Sequence, residues 1–212
     1  HWAESSLEGG VLTYRDGSTY TGEKRWHATP GDEEHMVTAA TGGRVQVLLP
    51  SGGKGRSIAP LGDPEGRFRR IRGLDWRDGE LAVVEAGARR VQVFEGSLAG
   101  RLVFRFAFQI PEELGEPEAV ALAGGGRFLV VTRGDRSGLH LFDAAGRPLR
   151  CVAGDEREVG EGGVDQPCAV ALDLAESDRR SRACVLDREG ERVQVFSLDG
   201  RSFGSILGLG DG

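Results

Sequence analysis

Asparagine is absent from the 212-residue sequence, lysine occurs only as Lys24 and Lys54, and methionine only as Met36. Without Asn there is no N-x-Ser/Thr acceptor for N-linked sugar. The near-loss of Lys, with Arg supplying almost all basic charge, reads as a compositional bias toward Arg, Gly, Ala and Glu and carries little chemistry of its own. No apolar run approaches 18 residues, which excludes a membrane-spanning helix. Basic charge is also in deficit. The net charge of −6 excludes a nucleic-acid footprint spread over the whole molecule.

Cysteine is scarce too. Cys151, Cys168 and Cys184 are odd in number and not spaced as a disulfide framework. That points to a reducing or neutral compartment, cytoplasmic or organellar rather than secreted. The sequence reads as carrying neither an initiator Met nor a signal peptide. His1 is not an initiator, so the chain reads as processed or incomplete.

What is abundant is glycine, at 34 residues, and self-similarity. "RVQVF" occurs at residues 90–94 and again at 192–196. "RVQVLL" begins at Arg44, and a degraded version, "GLHLF", begins at Gly138. Each is followed by a short loop and Gly-Arg: Gly55-Arg56, Gly100-Arg101, Gly146-Arg147 and Gly200-Arg201. The equivalent positions Val45, Val91, Leu139 and Val193 are spaced by 46, 48 and 54 residues, a period that marks stacked structural units. Around each marker lie four runs of four to seven residues rich in Val, Leu and Phe, with Gly, Asp or Ser at the joints. Such runs read as strands. Asp-Gly in "RDGE" (residues 77–80) and "LDGR" (198–201) supplies the positive φ of tight hairpins.

Four sequential strands joined by tight turns make an antiparallel meander. One meander cannot bury both faces, so several must stack, and radial stacking gives a β-propeller. The expected fold is therefore all-β, with about four blades at residues 24–60, 66–110, 115–155 and 165–209. The ring either closes at four or forms part of a larger propeller.

The unit "PCAVALDL…RACVLDREGERVQVFSLDGRSFGSILG" resembles an NHL repeat: a Pro, a Val/Ala-rich strand, a strand ending near Asp, Arg-Val-Gln-Val-Phe, Asp-Gly and a last strand. The resemblance spans residues 24–209, with Pro117 and Pro167 in register. The usual Asp is kept at Asp187, becomes Glu85, and is missing from the first and third repeats; the fourth carries an insertion, "ESDRRSR", at 176–182. NHL-like propellers usually have about six blades, within the range open to propellers. The stretch 9–26, "GGVLTYRDGSTYTGEKRW", reads as one hairpin turning at Asp16-Gly17 and resembles a single MORN repeat through Tyr14, Asp16, Gly17, Tyr20, Gly22 and Glu23. Residues 1–23 are accordingly expected to form a cap separate from the propeller at 24–212.

The repeat itself is packing chemistry. Val91 and Val93 face a neighbouring blade, Gln92 turns to the other side, and Phe94 packs between blades. Arg90 and Arg192 are placed to pair with Glu85 and Asp187. Trp76 is expected in the core, and His140, in the Gln position of the third repeat, is expected to be structural.

No catalytic, cofactor or metal residues emerge. His27 and His35 flank Glu33 and Glu34, but the stretch reads as a charged strand joint. "PSGGKGRS" (50–57) lacks the spacing and following helix of a phosphate loop. Cys168 and Cys184 fall on adjacent strands, where a disulfide is conceivable but buried free thiols fit better.

The exceptional segment is "GRFRRIRGLDWR" (66–77), with five Arg and one Asp. The loops at 111–118 and 154–165 are instead acidic. Loops on a rigid scaffold carry specificity. The sequence therefore points to a non-enzymatic protein-interaction module, an accessory subunit of a larger assembly, binding one or more proteins through Arg67, Arg69, Arg70 and Arg72. Resemblance to RNA-binding NHL propellers supplies a second reading, through the basic patch that runs from Arg67 to Arg77. Metal-dependent hydrolase or lyase propellers supply a third.

Overall fold

Val, Leu and Ala alternate between Gly- and Asp-bearing joints along this chain, and strands form where they do. The computed structural model describes residues 6–8, 11–13, 19–21, 36–40, 43–48, 54–58, 68–134, 136–154, 163–188 and 191–207. Among these, every regular element is a strand except two 3₁₀ turns, Ala86–Ala88 and Glu112–Leu114.

The first sheet contains β1 (Ser6–Glu8), β2 (Val11–Thr13) and β3 (Thr19–Thr21), in that order and antiparallel. The expected N-terminal hairpin is present as β2 and β3, but β1 adds a third strand before it. Of the MORN-like positions, Tyr20 lies on β3; Tyr14, Asp16, Gly17, Gly22 and Glu23 lie outside the described residues.

The first repeat supplies β4 (Met36–Ala40), β5 (Arg44–Leu48) and β6 (Lys54–Ile58), a three-stranded antiparallel sheet. Its expected first run, residues 25–29, lies outside the described residues. Its last strand begins at Lys54, earlier than the run expected from Ser57.

Three complete meanders follow. Repeat 2 has β7 (Ile71–Arg77), β8 (Glu80–Glu85), β9 (Arg90–Gly96) and β10 (Leu102–Gln109). Repeat 3 has β11 (Glu116–Leu122), β12 (Phe128–Arg133), β13 (Gly138–Phe142) and β14 (Pro148–Ala153). Repeat 4 has β15 (Pro167–Asp173), β16 (Arg182–Asp187), β17 (Arg192–Ser197) and β18 (Ser202–Leu207). In each, neighbours in sequence are neighbours in the sheet.

The turns explain much of the composition. Asp78 (φ 49°) and Gly79 (φ 81°) both adopt left-handed backbone between β7 and β8, the geometry a two-residue hairpin requires. The second expected tight hairpin, at residues 198–201, is a longer loop. There only Gly200 has positive φ, and the Ser197 N–H donates to Arg201 O at 2.9 Å. The first strand of each complete repeat carries a bulge, between Ile71 and Gly73, Pro117 and Ala119, and Pro167 and Ala169. Pro117 and Pro167 sit beside these bulges, where proline's missing N–H is tolerated.

The chain divides into two compact units, His1–Ala88 with Gln92–Ala107, and Arg89–Val91 with Phe108–Gly212. In the first, Val45 and Val47 join Leu74, Leu81, Val83 and Phe94 in one core. Phe94 makes edge-on ring contacts with Phe68 and Phe104, at centroid distances of 6.1 and 5.9 Å. Trp76 is buried as expected, and Val91, Val93 and Phe94 are buried too. In the second unit, Ala119, Leu129, Val131, Leu139 and Leu141 of repeat 3 pack with Val170, Ala183, Val185 and Phe196 of repeat 4.

Candidate interaction loops

The acid at the end of a repeat's second strand holds the loop that leads into that repeat. Asp187 has no solvent exposure. Its carboxylate accepts from the Gln166 N–H at 2.9 Å and the Asp165 N–H at 3.2 Å, on the loop before β15. It also accepts from Gln194 Nε2 at 3.2 Å and pairs with Arg192 at 3.4 Å. The Arg192 and Gln194 side chains continue to Gly163 O, at 2.9 and 2.7 Å. Burial alone would raise the Asp187 carboxyl pKa. The N–H groups of Gln166 and Asp165, the Arg192 charge and the Gln194 amide outweigh burial and hold it below the usual carboxylate range.

Glu85 repeats the device. It accepts the Arg69 N–H at 2.8 Å and Gln92 Nε2 at 2.7 Å. The Ala86 and Gly87 N–H groups donate to Arg70 O and Arg69 O, each at 3.0 Å. The expected Arg192–Asp187 pair is therefore present, and the glutamine, expected only to turn away from the valines, joins it. Gln92 and Gln194 are fully buried and turn to the acid seven residues earlier. That recurring spacing, Glu85/Gln92 and Asp187/Gln194, was the available sequence signal.

Repeat 3 has Thr132 in place of the acid and His140 in place of the glutamine. Their side chains meet at 3.1 Å, and Thr132 Oγ1 donates to Arg136 O at 3.4 Å. His140 is structural as expected, and burial pushes its pKa down against the opposing hydrogen bond of the Arg136 backbone.

The loops held this way carry the charge. Arg69, Arg70 and Arg72 have exposed side chains, and Arg72 occupies the bulge of β7. Arg67 lies outside the described residues. In the second unit, the loop leading into repeat 3 and the β12–β13 loop border an open pocket of about 690 Å³. Arg89, Arg133 and Arg136 line it together with Glu112, Glu113 and Glu116. Arg89 fastens the 3₁₀ turn by donating to Glu112 O at 3.0 Å and Gly115 O at 2.9 Å. Arg133 pairs with Glu118 at 3.1 Å and approaches Glu116 at 3.7 Å. Gly115 is required here: its φ is 89°, and a Cβ would lie 2.5 Å from Arg133 O.

Other candidates fare differently. His27, Glu33, Glu34 and His35 lie outside the described residues. Among the described residues, no three His, Cys, Asp or Glu side chains come together as a metal site. The stretch at 50–57 runs into strand β6, not a helix. Cys168 and Cys184 are free thiols, and they are half-buried, not fully buried as expected. Cys184 is opposite Ala171 in register and Cys168 sits on the β15 bulge, so the two do not face each other. The insertion at 176–182 proves structural: Asp178 binds Arg127 of repeat 3 at 2.8 Å and also pairs with Arg150.

Solved structures share this architecture. A chain of a nidogen/laminin complex superposes with a TM-score of 0.58 at 14% identity, over 93% of this chain and 71% of that one. A candidate 6-phosphogluconolactonase from Bacteroides uniformis matches with a TM-score of 0.60 at 12% identity, over 96% and 67%. The N-terminal domain of Nup159 matches with a TM-score of 0.56 at 12% identity, over 96% and 63%. The fold is of the β-propeller class. Its three complete repeats are four-stranded blades. No family model matches the chain, and no curated protein matches it in sequence. Among the described residues no helix is long and apolar enough to cross a membrane.

Proposed function

We propose that this chain is an NHL-like, non-enzymatic protein-interaction module serving as an accessory subunit of a larger assembly, with the MORN-like stretch as an N-terminal addition. The observation that carries the reading is the clamp by which Glu85 and Asp187 fix loop backbones while charged side chains such as Arg69 and Arg70 remain exposed. A rigid scaffold displaying charged loops orients a charged partner and raises its association rate more than its final affinity. The similarity to a chain from a nidogen/laminin complex agrees with a protein partner. The acidic pocket rim of Glu112, Glu113 and Glu116 beside Arg133 and Arg136 extends the mixed charge to the second unit.

Partner contact centres on Arg67, Arg69, Arg70 and Arg72. Reversing Arg69 and Arg70 to Glu slows association with a captured partner and flattens its salt dependence, with the melting temperature unchanged. Binding kinetics unaltered by the double reversal would remove the patch from the contact surface. The second reading, RNA, rests on the same exposed arginines. A salt-titrated assay with single-stranded RNA separates the two, because counterion release makes RNA affinity fall steeply with salt.

A further inference from the structure

Each strand of a blade shows alternate residues to opposite faces. One face of blade 3, formed by Ala119, Ala121, Leu129, Val131, Leu139 and Leu141, is sealed: every member is no more than 1% exposed. Blade 4 seals it with Val170, Ala183, Val185 and Phe196.

The far face of blade 4 copies that sealed face position by position. In blade 3 the register pairs are Ala119–Val131, Ala121–Leu129, Val131–Leu139 and Leu129–Leu141. In blade 4 the same places are held by Ala169–Leu186, Ala171–Cys184, Leu186–Val193 and Cys184–Val195. All six residues are apolar or weakly polar, yet none is buried: Ala171 and Leu186 are exposed, and the other four are half-buried. Exposure elsewhere has a different origin. Val103, Leu149 and Phe203 hold one outer-strand position in three blades and are half-exposed in all three. Leu186 departs from its own repeat: it is 44% exposed, whereas its equivalents Val84 and Val131 are 0% exposed.

We propose that the face formed by Ala169, Ala171, Cys184, Leu186, Val193 and Val195 is a docking surface for a further four-stranded β-blade. The occupant presents a Val/Ala/Phe face like the one blade 4 turns toward blade 3, because the receiving positions and register are the same. The surface continues an interface already present in the molecule. It is separate from the charged loops and does not depend on their proposed role.

Cys184 lies within the face and reports its occupancy. The test appends a duplicate of residues 163–209, with its own cysteines changed to Ala, after Gly212 of the full chain, and compares thiol labelling at Cys184 with that at exposed Cys151. Docking slows Cys184 labelling by at least about tenfold, since the thiol then reacts only through local opening, and leaves Cys151 unchanged. Adding Leu186→Asp restores fast labelling in the extended chain. Unchanged Cys184 labelling in a folded extended chain overturns the proposal. The native chain gives an independent reading should the extension misfold. It is expected to sediment as a monomer with Cys184 open to reagent. A dimer with Cys184 protected assigns the face to a second copy and also overturns the proposal.

Discussion

Replacing Asp187 by Ala tests whether the clamp holds the loop before β15. The carboxylate is fully buried and receives two backbone N–H groups, a glutamine amide and a guanidinium. These partners lose unequally. Gln194 Nε2 and Arg192 keep Gly163 O, and the Arg192 side chain, 27% exposed, regains water. The Asp165 and Gln166 N–H groups keep no such alternative partner. Asp165 is exposed and Gln166 half-buried, so water recovers part of what the carboxylate gave, and the loss is about 1–3 kcal/mol in all. At roughly 2–4 °C per kcal/mol for a chain of this size, the melting midpoint falls by on the order of 5 °C. Differential scanning calorimetry measures the loss, and hydrogen exchange should show faster exchange at residues 165 and 166. Arg192→Met should cost only about 1 kcal/mol, because the pair is partly exposed. A comparable loss in both variants would mean that the ion pair, not the backbone clamp, does the holding. A wild-type midpoint for Asp187→Ala would refute the clamp altogether. The depressed Asp187 pKa sets the pH window. Its stabilisation is complete above the unfolded-state value of 3.8 and is lost as pH falls through the lower folded-state value. Acidification below pH 4 should therefore narrow the gap between Asp187→Asn and wild type.

Val93 is fully buried, so Val93→Asp should unfold or aggregate the protein; several kcal/mol for an unpaired buried charge is comparable to a margin of about 5–15 kcal/mol. A wild-type melt would show that the β9 register is wrong. His140→Gln restores the residue used in the other blades. Because burial lowers the His140 pKa, the unfolded chain binds more protons below the unpertured value of 6.5, and wild-type stability falls as pH drops through it. The Gln variant should lose less stability than wild type between pH 7.5 and 5.5, and equal losses would exclude His140 as the source.

The strands were legible because the repeat prints each one several times. The strand ending in Glu85, the RVQVF strands and the run from Leu102 all fall within a residue or two of expectation. The extra strand β1 was hidden because Ser6–Glu8 is too short to show alternation. The clamp was half legible. A charge pair between Asp187 and Arg192 follows from opposite charges near each other, but backbone donors such as the Arg69 N–H leave no mark in a sequence. The role of the 176–182 insertion was likewise hidden, since Asp178 finds Arg127 and Arg150 only once the two blades stack.

The clamp has a consequence for how this surface can change. Glu85 and Asp187 grip main-chain N–H groups, which nearly every residue type possesses. The held positions are accordingly an arginine in one blade and an aspartate and glutamine in another. A loop can thus exchange basic side chains for acidic ones without disturbing the grip that shapes it. Binding preference and foldability are written in different atoms of the same residues, so a lineage can revise one while leaving the other intact.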